Sequence, residues 1–250
     1  MKKIAIIQSN YIPWKGYFDI IHEVDVFVFL DDVQMTKRDW RTRNKIKTPK
    51  GTEWLTVPVK GGRHQLICET EIAPGDWQKR HLKSLQTNYA RTPFFKDYGF
   101  LLDWLYGETH RNLSEFNRQT TGMICDILGI DTQLLCSMDL RVDGAKDDRL
   151  IEICQKLGAT VYLSGPSARD YIVEEKFQEA GIEVVYKDYA GYPEYPQSFP
   201  PFEHAVSILD LLFNCGPAAP DYIWGWREGV QHRQEDSILT EVVHEAEQVV

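Results

Sequence analysis

The sequence predicts an α/β protein: a Rossmann-like parallel or mixed sheet with flanking helices, a β-hairpin insertion and a mid-chain helical segment. Three observations carry this. Short apolar runs at Ile4–Ile7 and Asp25–Leu30 each end in a polar loop, as buried parallel strands do. Helical apolar spacing at Tyr17, Ile20 and Ile21 lies between them, making a β-loop-α-β unit. The last third of the chain then returns to the same alternation.

The elements follow in order. Trp54–Val59 and Gln65–Ile72, bracketing Gly61-Gly62, read as a hairpin or pair of edge strands, with Pro58 placing the first near an edge. From Asp76, a candidate N-cap, to Leu128 the spacing is helical, with breaks at Thr92-Pro93 and near His110–Ser114 and a stop at Gly129. Strand Gln133–Ser137, helix Asp147–Leu157, strand Thr160–Ser164, helix Asp170–Ala180 and strand Glu183–Lys187 restore parallel-sheet wiring. A Pro- and Tyr-rich connection, Tyr189–Pro201, leads to an apolar helix Ala205–Cys215 that stops at Gly216-Pro217. The 250 residues fit a single α/β domain over residues 1–227, with a helical subregion at about 76–128 and an acidic C-terminal tail at 228–250.

Composition narrows the class of function. With 43% hydrophobic and 26% charged residues the chain is an ordinary globular one. Its net charge of −9 disfavours nucleic acid and anionic membrane surfaces as partners. No apolar run approaches the roughly 20 residues that span a bilayer, and the apolar start is too short for a secretory signal, so a cytoplasmic location is expected. Cys68, Cys125, Cys136, Cys154 and Cys215 are odd in number and never spaced as CxxC, so they read as reduced packing residues. The seven histidines do not pair at metal-ligand spacing, and no metal site is expected.

In an open parallel sheet, ligands bind beyond the carboxyl ends of the strands, which singles out three segments. The first, QSNYIPWKGY, offers Gln8 and Gly16 together with Tyr11, Trp14 and Tyr17, rings that can stack on a base or sugar or simply seal the sheet end. The second, DDVQMTKRDWRTRNKIK, sets Lys37, Arg38, Arg41 and Arg43 after Asp31 and Asp32, interrupted by Trp40 and Asn44. Its arginines suit a phosphate or carboxylate clamp, and its carboxylates suit a general base, a metal ligand or an orienting role. The third, LSGPSARD, places Ser164, Gly165 and Ser167 where backbone N–H groups can meet an anion, or where they serve only as a helix cap.

These same stretches, QSNYIPWKGYFDII, DVFVFLDDVQMTKRDWRTRNKIK, YLSGPSARDYI and YPEYPQSFPPFEHAVSILDLLFNCG, resemble the WbqC-like protein family from about Lys3 to Gly216. The resemblance departs at Ser9-Asn10, where a QPxY-like sequence is more usual. It implies a role in bacterial surface polysaccharide (O-antigen) biosynthesis, with transfer of an amino-acid or acyl group to a nucleotide-linked amino sugar. The positions it carries over extend from Gln8 and Asp31 to Tyr195, Gln197, Asp210 and Asn214. The strand-1 loop and the Ser164-to-Arg169 turn also look like the nucleotidyltransferase and synthetase type of Rossmann-like fold. That leaves the cofactor open between ATP with Mg²⁺ and an acyl or aminoacyl donor.

On this basis Asp31, Asp32, Lys37 and Arg38 are the expected catalytic group. Gln8, Tyr11, Trp14, Gly16, Tyr17, Trp40, Arg41, Arg43, Asn44, Ser164, Gly165 and Arg169 are the expected substrate-binding group. A competing expectation is a non-catalytic binding or assembly protein of the same pathway, using the Val206–Phe213 helix and the YPEYPQ connection as an interface; a homo-oligomer is left open.

Overall fold

The computed structural model describes residues 1–61 and 64–227. Gly62 and the tail expected at 228–250 lie outside the described residues. The chain opens with β1 (Lys3–Ile7), α1 (Lys15–His22) and β2 (Val26–Phe29), and then forms a separate hairpin, β3 (Arg43–Thr48) and β4 (Gly51–Thr56). Helices α2 (Trp77–Tyr89), α3 (Gly99–Gly107) and α4 (Leu113–Leu128) follow. The remainder alternates: β5 (Gln133–Cys136), a short α5 (Ser137–Leu140), α6 (Lys146–Lys156), β6 (Val161–Ser164), α7 (Glu174–Glu179), β7 (Glu183–Tyr186) and α8 (Ile208–Cys215).

The five-stranded sheet has the order β5-β2-β1-β6-β7, and every neighbouring pair is parallel. Its strands are short and apolar because both faces are covered. Ala5, Phe27, Phe29 and Leu163 pack into the larger core with α1, α4, α8 and the hairpin; Ile4, Ile6, Val26 and Val28 turn to the opposite face, under α6 and α7. From central β1 the chain winds outward through β2 to β5, then crosses to β6 and β7 on the other side. The reversal opens a crevice between the carboxyl ends of β1 and β6.

Three expectations need correction. The hairpin pairs Arg43–Thr48 with Gly51–Thr56, so the end of the cationic segment, with Arg43, Lys45 and Lys47, is strand rather than loop. Gln65–Ile72 is mostly irregular around a 3₁₀ turn at Ile67–Glu69; it meets the earlier segments through the isolated bridges Gln34–Leu66 and Val59–Ile72 and through scattered backbone hydrogen bonds such as Cys68 N–H to the Asp31 carbonyl at 2.8 Å. The helix expected over Asp170–Ala180 forms only over Glu174–Glu179, as α7, with a 3₁₀ turn at Pro166–Asp170 before it.

Two boundaries repay attention. Asp76 precedes α2, but its carboxylate pairs with Arg80 at 3.3 Å instead of capping a backbone N–H. Gly129 ends α4 in the left-handed conformation at φ 71°, as its sequence position predicts. Helix α8 is buried along its entire length, which removes it as an interface and makes it the centre of the larger core. No described helix is long and apolar enough to cross a membrane.

Candidate functional site at the β1–β6 crevice

The crevice widens into a cleft of about 1190 Å³. Its walls come from the loop after β1 (Gln8, Asn10, Trp14, Tyr17), from Trp40 and Arg41, from the Ser164–Ala168 turn, and from Ala145–Leu150 at the start of α6. Tyr171, Lys176 and Tyr189 complete the rim. The first turn of α6 brings free backbone N–H groups to this wall, a setting that favours anions.

Four cations reach the cleft in different states. Arg41 is paired with Asp39 at 2.6 Å, Lys176 with Asp148 at 2.8 Å, and Arg149 with Asp32. The Lys146 side chain makes no hydrogen bond or ion pair among the described residues, and Lys146 holds a left-handed backbone at φ 51° on the first residue of α6. Such strain in a β-carbon-bearing residue collects at binding sites. Gly144 makes the approach to this turn possible, since a Cβ there would lie 2.8 Å from the Arg149 nitrogen.

The two carboxylates after β2 are fixed by the protein itself. Asp31 is fully buried, accepting the Ser9 N–H at 2.8 Å and the Ser114 hydroxyl. Asp32 accepts the Ser137 hydroxyl at 2.6 Å and the Arg149 guanidinium, joining β2, α5 and α6. Neither lines the cleft. Among the described residues, no three His, Cys, Asp or Glu side chains gather to hold a metal ion. Asp147 does line the cleft; one of its oxygens accepts the Val173 N–H at 3.2 Å.

The cationic segment does not converge on one point. Lys37 and Arg38, the latter at φ 56°, border a separate surface pocket of about 870 Å³ with Lys60 and His64. Trp40 and Arg41 face the crevice. In β3 the alternation of side chains sends Arg43 and Lys45 over the Trp54 ring, at 4.1 and 5.2 Å, while Asn44 turns inward. There its amide donates to the Ile12 and Tyr11 carbonyls, at 2.8 and 3.3 Å, and ties the hairpin to the first loop.

In the first loop, Tyr11 lies wholly in the core. Its hydroxyl meets His81 Nδ1 at 2.9 Å and the Tyr106 hydroxyl at 2.8 Å, so its ring is not offered to a ligand. Burial holds the His81 pKa down at about 4. Tyr17 is also buried, but it reaches the cleft wall and donates to the Gln8 carbonyl at 3.0 Å. Gly16 is needed for close approach: a Cβ would lie 2.3 Å from the Trp14 indole. Ser164 and Gly165 line the cleft, whereas the Arg169 guanidinium stacks 4.7 Å from the Tyr186 ring and does not.

Sequence reasoning missed Lys146, Arg149, Lys176 and Tyr189. The signal for two of them was the GAKDDR stretch opening a helix directly after a strand-bearing segment, the same context that singled out Ser164.

The profile of the WbqC-like protein family matches residues 8–222. The chain is also similar to the uncharacterized protein Rv1507c of Mycobacterium tuberculosis (strain ATCC 25618 / H37Rv), at 52% identity over 229 residues, covering 89% of this chain and 98% of the relative. No solved structure matches the chain.

Proposed function

This chain belongs to the WbqC-like protein family, and from that premise we propose that it is a cytoplasmic transferase that joins an amino-acid or acyl group to the amine of a nucleotide-linked amino sugar used in bacterial surface polysaccharide. The observation that carries this reading is the cleft at the β1–β6 crevice, where an anion-favouring helix start and rings of Trp14, Trp40 and Tyr189 share one cavity. Diphosphate and sugar ring are the two chemistries those walls suit.

In this reading Lys146, Arg149 and the first turn of α6 take the diphosphate, with the Ser164–Gly165 backbone opposite. Asp31 and Asp32 act as positioning residues, one fixing the loop after β1 and the other aiming Arg149. The sugar amine attacks the acyl carbonyl, forming the amide C–N bond as the donor's leaving group departs, and Asp147 is the cleft-wall carboxylate available to accept the amine proton.

A second reading is supported by the strand order, which places a nucleotide-sized crevice beside the central strand. Here ATP with Mg²⁺ occupies the same cleft and a carboxylate attacks its α-phosphate, giving an acyl adenylate and pyrophosphate.

Thermal-shift titration with UDP- and dTDP-linked amino sugars, ATP with Mg²⁺, and acyl-CoA separates the two. A ligand at a hundred times its Kd adds about 2.7 kcal/mol, or roughly 5–10 °C for a chain of this size. The shift should vanish in Arg149→Ala and persist in Arg43→Ala, whose side chain covers Trp54 instead. ATP-driven pyrophosphate release with no shift from any nucleotide sugar would favour the second reading; no shift from any nucleotide ligand would remove both.

A further inference from the structure

Beyond Trp14 and Trp40 the cleft continues into a smaller chamber of about 310 Å³, lined by Asn10, Pro13, Trp14, Trp40, Asn44 and Ala205. Asn10, Trp14 and Trp40 belong to both cavities, so the two are contiguous. Their chemistries differ. The large cleft carries charges of both signs, whereas among the described residues no charged side chain lines the chamber.

The chamber is held rigidly. Trp40 is 46% exposed, yet it is braced from behind by Trp54 at 5.5 Å, and Trp54 is in turn covered by the Arg43 guanidinium. The Trp40 carbonyl accepts the Tyr11 N–H at 2.9 Å, fixing the backbone beneath the ring. Trp14 stands edge-on to Tyr189 at 5.0 Å and Tyr192 at 6.1 Å. The Pro13 carbonyl accepts the Ile208 N–H at 2.8 Å, locking the floor to α8. The Asn44 amide is engaged by backbone on both its nitrogen and its oxygen. The Asn10 amide makes no hydrogen bond among the described residues.

Two indole walls, a proline and one open amide form a site for a ring with an apolar face and a polar edge. The absence of a charged wall disfavours a phosphate, a free carboxylate or an amino-acid zwitterion here, since desolvating an unpaired charge is costly. We infer that this chamber is a subsite for the pyranose ring of the nucleotide sugar, its C–H face against Trp40 or Trp14, a hydroxyl on Asn10 and the reacting amine at the mouth shared with the charged cleft. The inference deepens the nucleotide-sugar reading and rests on it only for what occupies the adjoining cleft. It orients the substrate, with sugar toward the hairpin and diphosphate toward α6.

The test uses the full chain, with UDP, UDP-N-acetylglucosamine and the methyl glycoside of N-acetylglucosamine as probes. Calorimetry should show the UDP-sugar binding about ten-fold more tightly than UDP, the scale of one good aromatic contact plus a hydrogen bond. Trp40→Ala should erase that difference while leaving UDP affinity unchanged, and Trp40→Phe should restore part of it. Equal weakening of UDP and UDP-sugar would place the nucleobase on Trp40 and overturn the inference, as would no change in either. Should neither nucleotide bind the wild-type chain, the nucleotide-sugar reading fails and the methyl glycoside decides the subsite alone. Saturable quenching of tryptophan fluorescence that Trp40→Ala abolishes upholds it, and no quenching at millimolar glycoside overturns it.

Discussion

Replacing Gly16 by alanine isolates how Trp14 is placed. The new Cβ would sit 2.3, 2.6 and 2.6 Å from three indole carbons, where carbon pairs prefer about 3.5–4.0 Å. The backbone of α1 is anchored by buried Tyr17, Phe18, Ile20 and Ile21, so the indole must move and surrender its edge contact with Tyr189. Overpacking of this kind costs about 1–3 kcal/mol, partly offset by up to about 1 kcal/mol from alanine's better helix propensity. In a Trp14→Ala background the obstruction is gone and the same substitution should be neutral or stabilising. Urea unfolding of the four proteins of this cycle should give a coupling of about 1–3 kcal/mol. A coupling below about 0.5 kcal/mol, the additivity limit, would refute the close-approach argument. Gly16→Ala should also weaken binding of any ligand that fills the chamber, because Trp14 walls it.

Two further outcomes test the interior. Burial lowers the His81 pKa from 6.5 to about 4, so between those values the unfolded chain takes up a proton that the folded chain does not. Stability should therefore fall as pH drops through that window, by up to about 3 kcal/mol, and be unaffected by this group above it; urea midpoints should show a shallower pH slope in His81→Gln. Tyr11→Phe removes a buried hydroxyl between His81 and Tyr106 and should cost about 1–3 kcal/mol in denaturation, while leaving the UDP-sugar to UDP affinity ratio unchanged.

The sheet was legible because its buried strands are nearly continuous apolar runs bounded by polar loops, as at Ile4–Ile7 and Val26–Phe29. Helices α2 to α4 were legible from spacing, and the start of α8 was read three residues early because Ala205 and Val206 continue the apolar run. Strand β3 was not legible: every second residue of RNKIKT is a cation, and only the tertiary fold reveals that Asn44 and Ile46 face inward. The site was half legible. The crevice loops follow from strand ends, so Gln8, Trp14, Tyr17 and Ser164 fall on the cleft. Lys37, Arg38 and Arg43 do not, because a charge run in sequence says nothing about how a strand's two faces divide it. Arg149 had a local cue only in its place at a helix start; its pairing with Asp32, 117 residues away, had none.

The position of β1 also has a consequence for how the chain is made. This strand is synthesised before the other strands of the sheet yet lies in its middle, and one edge pairs with β6, with Lys3 opposite Val161. During translation β1 can pair with β2 early, but its other edge stays without its partner until β6, about 160 residues further along the chain, has been made. An open, apolar strand edge is a template for pairing with other chains. Truncations ending before Val161 are therefore aggregation-prone fragments rather than smaller folded units, and the late arrival of β6 is the event that closes the molecule.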